Sequence, residues 1–228
     1  ESGRAGARPQ YVDAANKNNA SVGDLTADGD GITGAIMGNA FPIPNNAMEI
    51  VWNSKLRFRN FKLTRQFTAA PVQANGTYSL ITVQDEAILR WSDPKFKKAE
   101  DLNNLSLYYI ANTVSPARLA GNVILVHESV NAAVQPRKAW SYNPGTRRVR
   151  VAPDIAYDNP GTNTDGMTTS DSFDGFNGAM DRYNWGFQGR KVKFIPYNNY
   201  DAINAKVADL VKPQHLNQDF MRYEPHRT

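Results

Sequence analysis

The amino-acid sequence predicts a mainly β (α+β) fold, built as a curved antiparallel sheet or an unclosed β-barrel with a few short helices. Two pairs of apolar segments are each joined by a strong turn signal, at Asn75-Gly76 and at residues 143–146. The stretches that could form helices are short, and 228 residues suffice for one large core. These observations favour one large β domain over two small ones.

The first 46 residues are rich in Gly, Ala, Asn and Asp and have little apolar periodicity before Phe41. The prolines in residues 41–44 exclude a regular helix there. We therefore predict an extended N-terminal arm over residues 1–46.

The predicted β-sheet domain covers residues 47–228. It begins with a short helix over residues 47–56, which Asn45 or Asn46 can cap. From residue 57 to residue 67, Phe and Leu alternate imperfectly with Arg and Lys, which predicts a strand with a bulge and one solvated face.

The strands that follow are separated by turn residues. A return strand is predicted over residues 78–91, and further strands over residues 105–110 and 122–130, with Ser115-Pro116 forcing a break between the last two. A second hairpin joins residues 139–142 to residues 147–151, because both strands carry apolar side chains at alternate positions.

The C-terminal third of the chain gives weaker signals. Residues 154–171 form a long connection, which at this length is usually functional or mobile. A strand pair is predicted around Gly189 over residues 185–195, and a helix over residues 203–211. Residues 220–223 are predicted to start a further strand.

Composition excludes several classes of function. The net charge of +4 is spread along the chain, which argues against a nucleic-acid partner. The absence of cysteine excludes disulfides and thiolate metal sites. No apolar run reaches the roughly 20 residues of a membrane helix. Since the chain begins at Glu1 with no apolar leader, we expect a processed or trimmed product.

No catalytic, metal or cofactor site is predicted. His127 and the other two histidines lack the spacing of a metal pair, and no serine lies in a nucleophile motif. Residues 24–35 resemble a calcium loop, but Ala35 stands where a bidentate Glu is required, so we expect a polar turn. The aspartates of residues 154–181 are interpreted as turn and cap residues, with an acid/base pair or cation site as the alternative. We therefore predict a protein that is not an enzyme.

The aromatic residues suggest a ligand pocket. A single curved sheet cannot pack so many large rings against a few short helices, which leaves room for an apolar cavity. Five rings are predicted to contact the ligand, and two arginines are predicted to lie near an anionic head group. These seven residues are Trp91, Tyr108, Trp140, Tyr142, Trp185, Arg147 and Arg148.

Several motifs in register resemble one family. They lie at residues 115–121 (SPARLAG), 138–150 (KAWSYNPGTRRVR), 176–183 (FNGAMDRY) and 195–200 (IPYNNY). In this order they are similar to a proteobacterial family of unknown function whose members are commonly labelled outer-membrane lipoprotein-sorting proteins. The resemblance covers nearly all of the chain from about Phe41.

The resemblance implies a fold and a location. By this resemblance, members of the family carry a signal peptide and act in the Gram-negative periplasm, and an association with the outer membrane is expected as well. They look like distant relatives of LolA and LolB, in which an unclosed β-barrel wraps around helices and receives acyl chains. Relatives continue past the equivalent of Thr228, so we expect this chain to lack C-terminal strands. An open sheet edge near residues 222–228 would then favour dimerisation.

The first functional hypothesis is a periplasmic carrier that binds a lipid, an acyl chain or a lipoprotein and catalyses no reaction. The alternative is an assembly or interaction module that docks on an outer-membrane protein or an exporter and has no lipid ligand of its own. A hydrolase using the aspartates of residues 154–181 ranks third.

Overall fold

A computed structural model of the chain describes residues 9–152, 157–161, 163–213 and 215–228. The chain divides into two compact units. The larger unit takes its described residues from Arg8–Ala69 and Ile81–Gly186, and the smaller unit takes them from Ala70–Leu80 and Phe187–Thr228.

The described helices are α1 (Gln10–Val22), α2 (Ala47–Lys55), α3 (Tyr200–Asn204) and α4 (Val207–Leu210). The described strands are β1 (Asp24–Leu25), β2 (Ile32–Thr33), β3 (Lys62–Ala69), β4 (Ile81–Leu89), β5 (Leu105–Ser115), β6 (Val123–Ser129), β7 (Lys138–Asn143), β8 (Arg148–Ala152), β9 (Val192–Pro196) and β10 (Tyr223–Arg227). Short 3₁₀ turns lie at Arg90–Ser92, Ala99–Leu102, Ser170–Ser172, Met180–Arg182 and Gln218–Phe220. No helix in these ranges is both long and apolar enough to cross a bilayer.

The larger unit is built on one six-stranded antiparallel sheet. Its strands follow chain order, β3-β4-β5-β6-β7-β8, and each pairs with the next. In the described residues β3 and β8 do not pair with each other, so the sheet is unclosed. This confirms the predicted mainly β fold with an open antiparallel sheet and few short helices.

The sheet has two distinct faces because side chains alternate along each strand. Strand β4 shows this most clearly, since every second residue from Ile81 to Leu89 is buried and the residues between them are more exposed. We call the face that carries Ile81 and Val83 the inner face and the opposite face the outer face.

The predicted local signals are largely confirmed. Helix α2 begins after Asn46, whose side chain accepts a hydrogen bond from the backbone N–H of Glu49. Strands β7 and β8 form the predicted hairpin, in which Tyr142 pairs with Val149. The turn at Asn75-Gly76 is also present, with Gly76 at φ 85°.

The N-terminal residues differ from the predicted extended arm, because residues 10–22 form α1. Val12 and Asn19 are the buried residues of this helix, so its apolar periodicity is too weak to be recognised in the sequence. The side-chain amide of Asn19 donates to the main-chain carbonyls of Ile36, Met37 and Asn39, each at 2.9 Å. Asn19 therefore ties α1 to the loop that follows it.

That loop belongs to the core of the larger unit. Ile32, Ile36 and Phe41 are buried in one cluster with Trp52 of α2 and Trp91. Tertiary burial thus orders a segment whose own composition favours a coil.

The strand pair predicted around Gly189, within residues 185–195, is wrong because the strand on its C-terminal side pairs with a different segment. Strand β9 pairs with β10 in a two-stranded sheet, in which Ile195 lies opposite Glu224. Trp185 instead lies in the larger unit, where its ring is 4.9 Å from that of Phe176. The C-terminal residues, predicted to form an unpaired edge, pair with β9 on one side, and within the described residues no further strand pairs with β10 on the other.

The smaller unit differs from the prediction in two further ways. The helix predicted over residues 203–211 is split into α3 and α4, and the Asn204 side chain donates to the Tyr200 carbonyl at 2.7 Å, which competes with continued helix. Residues 70–80 belong to this unit although they connect β3 to β4. A Cβ at Gly76 would lie 2.7 Å from Cγ of Pro213, which shows how closely the two segments pack.

Candidate functional site

A cavity of about 640 Å³ lies against the inner face of the sheet in the larger unit. All six strands contribute to it, so this face is concave. The strand residues that line it on this face are mostly apolar: Phe67, Ala69, Val83, Leu107, Tyr109, Ala111, Ile124, Val126, Glu128, Ala139, Ser141 and Ala152. We call this the large cavity.

Small side chains leave the space open. On β7 the inner-face residues are Ala139 and Ser141, whereas the large rings of Trp140 and Tyr142 occupy the alternate positions. Ala139 lies opposite Ala152 on β8, so two neighbouring strands both present only a methyl group there. At this part of the inner face the cavity is therefore bounded by backbone and small side chains. Bulkier residues at these positions would fill it.

Polar loop residues line the other side of the large cavity. They include Asn159, Asn163, Thr164, Thr168, Thr169, Ser170 and Ser172, together with Phe173. Asn163 donates to the Thr113 hydroxyl on β5 at 3.2 Å, which ties the loop to the sheet.

Asp171 shows what one of the loop aspartates does. It is buried and accepts hydrogen bonds from the Tyr183 hydroxyl at 2.9 Å and the Thr169 hydroxyl at 2.6 Å. It therefore holds the loop by hydrogen bonds between side chains, a structural role different from the predicted turn and cap bonds to backbone N–H groups. The predicted loop also includes residues 154–156 and 162, which lie outside the described residues.

One buried carboxylate supports the inner face. Asp85 is 1% exposed and accepts hydrogen bonds from Nε of Arg65 at 2.9 and 3.0 Å and from the Tyr109 hydroxyl at 2.9 Å. Burial, followed by the negative charge of Asp85, raises the pKa of Tyr109, so the phenol stays protonated. The Arg65 guanidinium lies 5.2 Å from the ring centroid of Phe67 and 6.0 Å from that of Phe173, both of which line the large cavity.

A second ion pair lies at the cavity wall. Nε of Arg137 donates to Oε2 of Glu128 at 2.7 Å, and both side chains are largely buried. Arg137 also donates to the Asn177 carbonyl, which fixes the loop against β6. Both charged groups therefore have partners within the protein, as buried charges require.

The structure does not bring the seven predicted ligand residues together. Trp140 borders the large cavity, but its ring packs at 4.9 Å on His127, whose own ring is 4.7 Å from that of Tyr108. These three rings form a row on the outer face, and strand alternation places Tyr142 on that face too.

The other predicted residues lie away from the large cavity. Trp91 is buried in the core, where its indole N–H donates to the Gly38 carbonyl at 3.2 Å. Trp185 packs on Phe176 and Tyr183. The arginines lie at the β7–β8 turn and on β8 and are not among the residues that line the large cavity. They are Arg147 and Arg148.

Besides Trp140, the rings that line the large cavity are Phe67, Tyr109 and Phe173. Sequence reasoning missed them because it did not assign each ring to a face of its strand. The signal was present in the pattern of small residues at alternate positions on β7, which marks the face with room for a ligand.

The remaining chemical motifs have structural partners. Burial lowers the pKa of His127, which lies between Tyr108 and Trp140. In the turn that resembles a calcium loop, Asp28 accepts from the Thr26 hydroxyl at 2.5 Å and from the Asp30 backbone N–H at 3.0 Å, as the predicted polar turn requires. No group of three or more potential ligands for a metal is found within the described ranges.

Comparison with known proteins places the chain in a family. It is 44% identical over 226 residues to an uncharacterized protein of Pseudomonas aeruginosa, a match that covers 98% of this chain and 50% of that relative. The chain thus spans about half the length of the curated relative it matches.

A solved structure is also similar. It is the crystal structure of a domain from Vibrio parahaemolyticus, provisionally named as an outer membrane lipoprotein-sorting protein. The TM-score is 0.37 and the identity 11%, over 67% of this chain and 54% of that one. The family model described as "Protein of unknown function (DUF1329)" matches residues 1–228. The chain therefore belongs to the DUF1329 family.

Proposed function

We propose that this protein is a carrier that binds an acyl chain or a similar apolar molecule in the large cavity and catalyses no reaction. The observation that carries the proposal is a cavity of about 640 Å³ whose sheet side is mostly apolar. Ligand pockets of known proteins typically enclose about 300–1,000 Å³ and are lined mainly by apolar groups.

The polar groups at the cavity support retention of a ligand. Tyr109 and Arg65 are engaged by Asp85, and Glu128 is engaged by Arg137. Groups held in this way stabilise the wall, while affinity comes from apolar burial of about 0.8 kcal/mol per methylene. A ligand held by burial alone can be released intact, as a carrier requires.

The location and partners follow the motif resemblance. We propose that the protein acts in the periplasm, at or near the outer membrane, and that its ligand is a lipid or the acyl chain of a lipoprotein. Organic extraction of the native protein followed by mass spectrometry tests this directly, since a carrier should co-purify with an apolar molecule that fits the large cavity.

A chain-length series tests the binding mode. Calorimetric titration with uncharged straight-chain alcohols should show affinity that rises about fourfold for each added methylene and then levels off once the cavity is filled. Ile124→Trp places an indole on the inner face and should weaken binding at least about tenfold. Leu125→Trp changes the next residue of β6, on the outer face, and should leave binding unchanged.

Two results would overturn the proposal. One is that no alcohol of any length binds to the folded protein. The other is that Ile124→Trp and Leu125→Trp affect binding equally, because affinity would then not come from the inner face.

An interaction module remains the second candidate, and one observation favours it. The outer face exposes several aliphatic side chains, among them Val149 at 64% and Val151 at 69%. Exposed apolar groups of this kind are typical of protein contact surfaces. Loss of partner capture in Val149→Ser with alcohol binding unchanged would support this candidate.

A further inference from the structure

A second, small cavity of about 50 Å³ adjoins the large one. Five residues line both cavities: Leu107, Glu128, Phe173, Asp174 and Asn177. These side chains are therefore the partition between the two spaces, and movement of the loop residues among them would join the two cavities into one.

The small cavity has a cationic wall. Lys55, Arg57 and Arg59 all line it, and none of the three lines the large cavity. Two carboxylates line the small cavity as well, Glu128, which is paired with Arg137, and Asp174. The combined space would thus be apolar on the sheet side and carry an excess of positive charge at one end. An amphiphile with an anionic head group is the ligand class that matches this distribution.

Asp174 already occupies a carboxylate site at this end. Its Oδ1 lies 2.6 Å from Nη2 of Arg57, and its Oδ2 accepts a hydrogen bond from Nη1 of Arg59. Two guanidinium groups therefore converge on one carboxylate, which the protein itself supplies from the loop. Such charge-assisted pairs are the strong class of hydrogen bond.

The loop at Asp174 has room to move. Asp174 and Gly175 have φ values of 60° and 97°, so the chain turns sharply there. A Cβ built on Gly175 would meet nothing within 4 Å, so the turn faces open space. The Asp174 side chain is 29% exposed, and its carboxylate can therefore move into water without passing through the core.

Two buried polar atoms among the residues that line the small cavity lack a hydrogen-bond partner. They are Nε of Arg59 and Oγ of Ser92. A buried donor without a partner typically costs about 1–3 kcal/mol, so such atoms are usually paired with an ordered water or a bound group. Both residues line the small cavity, so oxygen atoms of a ligand bound there are candidate partners for them.

We propose that the ligand is a fatty-acid-like amphiphile, whose carboxylate replaces that of Asp174 between Arg57 and Arg59 while its chain lies along the inner face. This inference rests on the proposed function, because it needs the large cavity to hold an apolar chain. It adds the chemical class of the head group and gives Asp174 the role of an internal competitor.

The test compares a fatty acid with the alcohol of the same chain length, each titrated into the full chain at neutral pH below its micelle concentration. The wild-type protein should bind the acid more tightly. Arg57→Gln and Arg59→Gln should each weaken acid binding at least about tenfold, the value of one charge-assisted hydrogen bond, and leave alcohol binding unchanged.

Asp174→Asn gives the sharper result because it predicts a gain. Removing the competing charge should tighten acid binding about tenfold with no change for the alcohol. The matched control is Asp158→Asn, which removes the carboxylate of the exposed Arg182–Asp158 pair, 2.6 Å apart and outside both cavities. It should change neither affinity.

The outcomes separate the two claims. If neither compound binds, the proposed function fails and this inference fails with it. If acid and alcohol bind equally, or if Asp174→Asn leaves acid binding unchanged or weaker, the carboxylate site is refuted while the carrier stands. The gain expected in Asp174→Asn keeps the test decisive even if an arginine variant does not fold.

Discussion

Lys55 is a partly exposed residue whose amine turns into the interior of the larger unit. Nζ donates to the Gly178 carbonyl at 2.7 Å and lies 4.3 Å from the ring centroid of Trp52. Burial lowers the pKa of Lys55 from 10.5 to about 8, against the opposing attraction of Glu128. Since one pKa unit corresponds to about 1.4 kcal/mol, the charged amine costs the folded protein about 3 kcal/mol below pH 8.

The pH dependence follows from this lowered pKa. Between pH 8 and 10.5 the unfolded chain keeps the proton that the folded protein has lost, so the free energy of unfolding contributed by Lys55 rises with pH. Relative to Lys55→Met, the wild-type protein should therefore gain about 3 kcal/mol of stability between pH 7 and pH 10.5. The variant also loses the hydrogen bond to Gly178, which changes its free energy of unfolding by an amount that does not depend on pH.

Urea unfolding of both proteins across this pH range measures the difference. Lys95→Met is the matched control, because the Lys95 side chain is 66% exposed, and its stability curve should run parallel to that of the wild type. A constant gap between wild type and Lys55→Met from pH 7 to pH 10.5 would refute the reasoning, since Lys55 would then gain no stability from losing its proton.

Two further predictions concern stability. Asn19→Ala removes the donor to three main-chain carbonyls and should cost about 3 kcal/mol by urea unfolding, whereas Asn18→Ala, on the exposed side of α1, should cost less than about 1 kcal/mol. Because the folded pKa of Tyr109 is raised, the stability linked to its protonated phenol is complete below pH 10 and declines as the pH rises further. Tyr109→Phe should lose the hydrogen bond to Asp85 and show a shallower decline, and equal slopes above pH 10 would contradict this.

The parts of the fold that sequence reasoning predicts well are those with local causes. Asn46 caps α2 through its own side chain, and Gly76 accepts the positive φ that its turn requires. The β7–β8 hairpin follows from alternating residues and a short turn. Each of these signals lies within a few residues of the structure that it specifies, so no knowledge of distant contacts is needed.

The parts that fail depend on distant contacts. Helix α1 buries little apolar surface. The side chain of Asn19 joins it to the following loop by hydrogen bonds to carbonyl groups of residues 36–39. Strand β9 finds its partner in β10, about 30 residues away, instead of in its nearest apolar neighbour. A polar residue that organises a loop, and a strand that pairs across a long connection, leave no periodic signal in the sequence.

The sequence predicts a cavity, but the cause of the cavity in the structure differs from the predicted cause. The number of large rings in the sequence predicts that they cannot all pack against helices and must surround a hollow. In the structure the rings of β7, Trp140 and Tyr142, lie on the outer face, and Trp140 also borders the large cavity. The cavity exists because the neighbouring residues Ala139 and Ser141 are small. The alternation that exposes an aromatic row on one side of the sheet is thus the same feature that leaves space on the other.

This link between the two faces bears on which residues control binding. A substitution at Trp140, which borders the large cavity, mainly alters the outer face and the packing of His127. A substitution at Ala139, which is 1% exposed, changes the volume of the cavity directly. Residues adjacent in sequence therefore act on separate surfaces, and the large aromatic residues that stand out in the sequence are not those that set the capacity for a ligand.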